Sequence, residues 1–187
     1  MSFLNQQELI ELGLASFGEN VLISRLASIY NPDRIYIGSN VRIDDFSILS
    51  AGDGGIVLGS YIHIACYASL IGQGCITIED FAGVSSRVAV YSSNDDYSGR
   101  ALTNPMVPEQ YKRVTHGPVT LCRHSLVGSG SVILPNVILG EGCSVGALSL
   151  VSRNCEEFSM YLGVPAKRIK SRSRKILEVE KEFLSNG

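Results

Sequence analysis

The chain has 187 residues, with 16 basic and 18 acidic side chains, and 45 % of it is hydrophobic although Trp is absent. That length supports one domain with a real core, and the near-neutral balance offers no basic field for nucleic acid and no charged tail. No apolar run approaches the ~20 residues of a membrane span, the opening "MSFLNQQELIEL" lacks the basic region and unbroken apolar core of a secretory signal, and five cysteines without a C-x-x-C pair read as small buried thiols in a reducing cytoplasm.

In chain order, "NQQELIEL" reads as a short helix within an N-terminal cap over 1–18. "NVLISRLASIYNPDR" then opens a β-region expected over 19–162. Its signature is an aliphatic residue every six positions: Ile37, Ile43, Leu49; Leu58, Ile64, Leu70; Ile78, Val84, Val90; Leu121, Val127, Ile133; and Leu139, Val145, Val151. Four residues after most of these anchors stands a small or β-branched side chain, such as Ser47, Ala68, Ala82, Ser131, Cys143 or Ser149. A strand sends alternate residues to one face, so an inward anchor implies an inward residue four later, after which a sharp turn redirects the chain. Three such pieces close a triangular coil, and stacked coils hydrogen-bond at a spacing of about 4.8 Å. Inside corners are tight, hence the small residues. Glycine after the anchors, as at Gly38, Gly128 and Gly146, is expected to supply backbone freedom for the turns. An amphipathic helix would need steps of three and four, which the pattern lacks.

The expectation is a parallel β-helix of five coils with a ragged sixth at its start. Extra residues after Leu49 and Leu70 should bulge at one corner of successive coils. A loop within 91–118, "NDDYSGRALTNPMVPEQYKRVTHGP", has no period, and an insertion of that length in a compact domain is usually functional. The remainder, 163–187, is a tail ending in a helix, with Ile176, Leu177, Val179, Phe183 and Leu184 toward one face; both terminal helices are expected to cap the open ends of the stack.

The second half, "HSLVGSGSVILPNVILGEGCSVGALSLVSRN" followed by "YLGVPAKRIKSR", resembles the hexapeptide-repeat acyltransferases. It is most similar to their galactoside and maltose O-acetyltransferase branch and to the sugar acetyltransferases of surface-polysaccharide biosynthesis. The resemblance implies an all-β, left-handed parallel β-helix and a cytoplasmic homotrimer using acetyl-CoA as co-substrate. The acceptor would be a hydroxyl or amine of a sugar or nucleotide sugar for lipopolysaccharide, O-antigen or capsule. In that branch the donor lies along a groove between subunits. By position, Ser129 and Ala147 would meet the pantetheine arm, Ser152 and Arg153 stand for a Thr-Lys pair near the cofactor, and Lys167 and Lys170 would meet nucleotide phosphates. A thin arm needs a narrow slot of small residues, and phosphates need cations at its mouth; without the "GVPA" context these lysines would read as a solvated strand end.

Acyl transfer needs a nucleophile relieved of its proton and stabilisation of the oxyanion. The branch has a catalytic histidine where this chain has Asp95, and three readings stay open. Asp95, with Asp96 beside it to raise its pKa, takes the role. Alternatively His63, His116 or His124 does so; His63 follows Ile62, points outward, and would neighbour Gly83 and Leu126 in the acceptor cleft. Or no protein base is required, because an amine is partly neutral near pH 7. Tyr67 stands where the branch has an acceptor-binding Asn, which argues against a simple galactoside; Tyr67 and Asp96 are the acceptor-binding candidates. Tyr97, Arg100, Tyr111, Lys112 and Arg113 of the loop suit a base and a diphosphate, or the loop packs on a neighbour. The rival class is a non-catalytic scaffold or a metal-binding hexapeptide protein of the carbonic anhydrase type, which would need three convergent histidines; no metal site is expected.

Overall fold

In the computed structural model, which describes residues 2–186, the six-residue period winds into a left-handed parallel β-helix with three faces. Face one stacks Ser16–Phe17, Ile35–Ile37, Ile56–Leu58, Ile76–Ile78, Val119–Leu121 and Val137–Leu139. Face two stacks Val21–Ile23, Val41–Ile43, Ile62–Ile64, Gly83–Val84, Leu126–Val127 and Ser144–Val145, then Ser159–Leu162. Face three stacks Ser28–Tyr30, Ile48–Ala51, Ser69–Gly72, Ala89–Tyr91, Val132–Ile133 and Leu150–Val151. These are the five expected coils, preceded by the ragged one. A partial seventh follows, with Cys155 bridged to Leu139 and Tyr161 paired with Val145. It has no six-residue anchor, and the strand Lys167–Ser171 returns antiparallel on it to close the stack.

The register keeps anchors in rows: Ile43 pairs with Ile64, Ile64 with Val84, Val84 with Val127 and Val127 with Val145. Each anchor from Ile37 to Val151 is buried, and so are most residues four positions later, including Ser47, Ala68, Val88, Ser131 and Ser149; the exceptions, Asp53, Gly74 and Asn94, follow the anchors where the bulges and the loop leave. Corner hydroxyls at Ser47, Ser131 and Ser149 are satisfied within the stack, as where Ser149 Oγ donates to the Gly146 carbonyl at 2.8 Å, whereas Ser125 Oγ is buried without a hydrogen-bond partner.

Glycine works differently from the expectation. The left-handed turn positions are mostly filled by other residues, among them Phe46, Tyr67, Arg87 and Leu148 with φ between 56° and 61°. The glycines after anchors permit close stacking instead: a Cβ on Gly38 would lie 2.6 Å from the Gly59 backbone, and one on Gly128 would lie 2.6 Å from Ala147 N.

Helix α1 (Gln6–Glu11) carries a capping box in which Asn5 and Glu8 bond reciprocally. It buries Leu9 in the core and so lies against the first coil. Helix α2 (Ile176–Ser185) does not cap the other end. It runs back along the first corner, between faces one and two, where Tyr61 and Phe81 stack at 4.6 Å and Phe81 and His124 at 5.3 Å. Phe183 meets Tyr61 edge-on at 5.3 Å, and Glu180 pairs with both His124 and Arg123. Burial and the Arg123 guanidinium push the His124 imidazole below its ordinary pKa, while the Glu141 carboxylate pulls in the opposite sense.

Both bulges and the long loop leave at the third corner, between faces three and one. The loop is not structureless: Ser93–Asn94 and Thr115–His116 pair antiparallel at its base, and Glu109–Tyr111 forms a 3-10 turn.

Candidate functional site

Two corners flank face three, and the expected site residues divide between them. At the second corner, between faces two and three, the register stacks Asp45, Cys66, Ser86, Ser129, Ala147 and Gly163 in one column. Backbone bonds lock it: Arg87 N donates to Cys66 O at 3.1 Å, Gly130 N to Ser86 O at 3.0 Å and Leu148 N to Ser129 O at 2.9 Å. Ser129 and Ala147 are therefore neighbours on successive coils, both exposed. Tyr67 borders this column, stacked on Phe46 at 5.0 Å with the Arg87 guanidinium over its ring. The column ends beside the terminal strand, where Lys167 pairs with Leu162. Lys170 pairs with Met160 and lies farther back on face two.

Around the edge on face two, His63, Gly83 and Leu126 are lateral neighbours as the sequence implied. With Ser85, Ser86 and Ser129 they line a cavity of about 310 Å³. His63 Nε2 lies 2.8 Å from Asp44 Oδ2, and Arg42 Nε donates to Asp44 Oδ1 at 2.7 Å. Burial raises the Asp44 carboxyl, but the hydrogen bonds from Arg42 and His63 outweigh it and its pKa falls below the usual range. Asp44 thus fixes one edge of the imidazole, the arrangement by which a carboxylate orients a proton-transfer histidine.

Asp95 sits at the third corner. The ribbon's alternation turns Ser93, Asp95, Lys112, Val114 and His116 toward a groove of about 640 Å³ beneath the loop. Asp96 is on the opposite side, where it accepts from Ser98 N at 2.8 Å; hydrogen bonds from Ser98, with Arg113 nearby, lower its pKa. Ser152 and Arg153 emerge at this same corner two coils further on, in register with Tyr91 and the residue after it. One chain therefore does not bring Asp95, Ser152 and Arg153 together with His63, Ser129 and Ala147. Lys112 also lines a second loop cavity, of about 400 Å³, with Arg100, Tyr111 and Arg113.

Sequence reasoning missed Asp44, Ser85, Ser86 and Cys66. The last three follow from register once the coils are stacked, since each stands one or two residues beyond an anchor; Asp44 also follows an anchor, Ile43, and its burial had no linear signal. The three histidines lie apart, on face two, on the ribbon and at the first corner. Among the described residues no group of three His, Cys, Asp or Glu side chains could hold a metal ion, and no helix is long and apolar enough to cross a membrane.

No family model matches the chain. A dTDP-4-amino-4,6-dideoxy-D-glucose acyltransferase of Escherichia coli is 52 % identical over 183 residues, 98 % of this chain and 95 % of the relative. A candidate O-acetyl transferase of lipopolysaccharide biosynthesis from Escherichia coli K12 is 25 % identical over 162 residues, 84 % of this chain and 72 % of the relative. AntD, an N-acyltransferase from Bacillus cereus, is 51 % identical and superposes with a TM-score of 0.95 over 99 % of this chain and 97 % of its own; that structure holds dTDP and 3-hydroxybutyryl-CoA. Variants of AntD at one serine and at one aspartate have also been solved, some with dTDP-4-amino-4,6-dideoxyglucose and coenzyme A.

Proposed function

The chain belongs to the hexapeptide-repeat sugar acyltransferases, and on that footing we propose that it is a homotrimer that passes an acetyl group from acetyl-CoA to the 4-amino group of a dTDP-linked 4,6-dideoxyhexose. The product serves a surface polysaccharide, of lipopolysaccharide, O-antigen or capsule type, and the enzyme works in the cytoplasm.

The observation that carries this reading is the register-locked second-corner column. From Gly163 to Ser86 it climbs three coil steps, about 14 Å at the parallel-strand spacing. The pantetheine arm is as long as about four extended residues, roughly 14 Å as well. With the nucleotide phosphates at Lys167, the thioester lies at the level of Ser86 and the cavity that His63 and Ser85 line.

Trimerisation supplies the opposite wall. Above Ser50 and Ser69, face three presents Ile71, Ala89, Tyr91, Val132, Leu134 and Leu150 outward without a charged side chain, whereas face two presents Arg42 and His63 beside Leu126. A contiguous apolar face of this kind favours self-association. A threefold axis along the prisms sets the second corner of one copy beside the third corner of the next. Asp95, Ser152 and Arg153 of a neighbouring copy then face His63, Ser129 and Ala147, and the two half-sites become one. Lys170, behind the slit, adds positive charge near the phosphates.

The acceptor enters from the third-corner groove. Asp95 meets its ammonium, and Arg100 and Arg113 meet the diphosphate with Tyr111 beside the base. Asp96 steers the loop through Ser98, and Tyr67 bounds the sugar. Residues of the two types replaced in AntD line the two cavities here, Ser85 in one and Asp95 in the other. An amine acceptor also fits the absence of histidine at position 95, since an amine needs less help than a hydroxyl in losing its proton.

The test is thiol release from acetyl-CoA with dTDP-4-amino-4,6-dideoxyglucose, against the 4-hydroxy sugar nucleotide, with the product mass read alongside. An acetamido product and a trimer by light scattering are expected. Turnover of the hydroxyl substrate alone, or a monomer with full activity, overturns the reading.

A further inference from the structure

The third-corner groove holds a titratable side chain that the roles above leave unused. His116 pairs with Ser93 across the ribbon, so its side chain shares a face with Ser93 and with Asp95 two residues on, and all three line the groove. Ser93 is itself fixed to the coil below, because its Oγ accepts the Gln73 N–H at 2.8 Å. The same Oγ lies 2.8 Å from His116 Nδ1. One edge of the imidazole is thus tied to the body of the β-helix, and Nε2 is the edge turned to the groove. The other charged groups facing it are Asp53 from the bulge, Asp95 from the ribbon, and Glu109 and Lys112 from the loop, the last two paired at 2.6 Å.

We infer that His116 is the residue that takes the proton released by the acceptor, with Ser93 as its positioning residue. The inference rests on the acyl-transfer reading above. As the acceptor nitrogen attacks the thioester carbonyl carbon, the C–N bond forms and the C–S bond breaks. The acceptor's ammonium first gives one proton to His116 Nε2, which frees the lone pair for attack; the second nitrogen proton passes to the departing thiolate, His116 returns its proton to solvent, and nothing is oxidised or reduced. His116 is placed to take that proton because its ring, tied to Ser93 through Nδ1, lines the same groove as Asp95. Asp53 is paired with Arg34 at 2.6 Å and Glu109 with Lys112, so Asp95 holds the cationic acceptor and His116 handles its proton.

The experiment compares His116→Asn, His116→Ala and Ser93→Ala with the unaltered chain, using acetyl-CoA and dTDP-4-amino-4,6-dideoxyglucose. For His116→Asn, kcat is expected to fall about 100-fold. Acceptor KM and acetyl-CoA Kd should stay within about threefold, and the acid limb of the kcat profile should flatten. Added imidazole should restore His116→Ala at least tenfold, and Ser93→Ala should displace the acid limb without abolishing it. A kcat for His116→Asn within about threefold of the parent, or a loss with an unchanged pH profile and no imidazole rescue, overturns the inference alone. A parent chain that binds acetyl-CoA but never acylates the amine overturns the acyl-transfer reading and this inference together.

Discussion

Replacing Asp44 with alanine tests how the His63 edge of the site is held. Asp44 is only 8 % exposed and receives Arg42 at 2.7 Å and His63 at 2.8 Å, whose side chains are 46 % and 53 % exposed. Charge-assisted bonds of this kind are worth roughly 1.5–3 kcal/mol each when fully buried. With both partners half in water, screening reduces the pair to about 1–2 kcal/mol in total, a fall of about 2–8 °C in Tm for a chain of this length. The sign with pH follows from the lowered Asp44 pKa. The native state favours the carboxylate, so this stability is complete above the ordinary carboxyl value of about 3.9 and is lost as pH falls through the lowered folded value. Thermal melts of parent and Asp44→Ala at equal protein concentration should therefore differ at pH 7 and converge in acid. Asp44→Asn, which keeps the volume, should fall between them at pH 7. A gap that persists or widens on acidification, or no gap at pH 7, refutes the account.

Ala147→Trp fills the second-corner column at the middle of the pantetheine path; acetyl-CoA Kd by calorimetry should rise at least tenfold, the equivalent of about 1.4 kcal/mol, with Tm changed little because Ala147 is exposed. Val132→Glu places a charge in the middle of the apolar third face, away from the groove, and light scattering should show monomers with acetyl transfer reduced at least tenfold. Phe183→Ala removes the ring that docks α2 on Tyr61 and Phe81; edge-on aromatic contacts of about 0.5–1.5 kcal/mol, half-exposed here, correspond to a Tm lower by a few degrees, and amide exchange in the helix should accelerate.

The coil stack was legible because six-residue periodicity states which side chains face inward, and nothing else about the fold requires distant information. Val84 need not anticipate Val127 across the loop; both obey the same local rule, and stacking aligns them. The rule fails where local chemistry changes. The seventh coil is held by a backbone bridge at Cys155 and by Phe158, not by an aliphatic anchor. Helix α2 shows the amphipathic pattern of a capping helix, yet Phe183 is drawn to a ladder of rings at Tyr61, Phe81 and His124 that stand 20 or more residues apart in the chain.

The site was legible in height but not around the circumference. Counting hexads assigns each residue to a coil, so Asp95 and Ser85 come out at the fourth level and Ala147 at the sixth, within the three-step span proposed for the pantetheine arm. Counting cannot say that Asp95 and Ser85 leave the coil at different corners on either side of face three, because the loop, the ribbon and the turn are one-dimensional neighbours only. The separation is itself informative. With the proposed donor column and acceptor groove on opposite edges of one apolar face, a single chain does not close the proposed site, and the proposed trimer, packed on that face, would bring the halves together between copies. If the halves are coupled in this way, a mixture of two impaired variants, Ala147→Trp and Asp95→Ala, assayed at acetyl-CoA below the raised Kd, should regain activity on subunit exchange, since some interfaces then pair an intact second corner with an intact third corner. Full subunit exchange with no recovered turnover would place donor and acceptor within one chain and remove the physical reason for the apolar face.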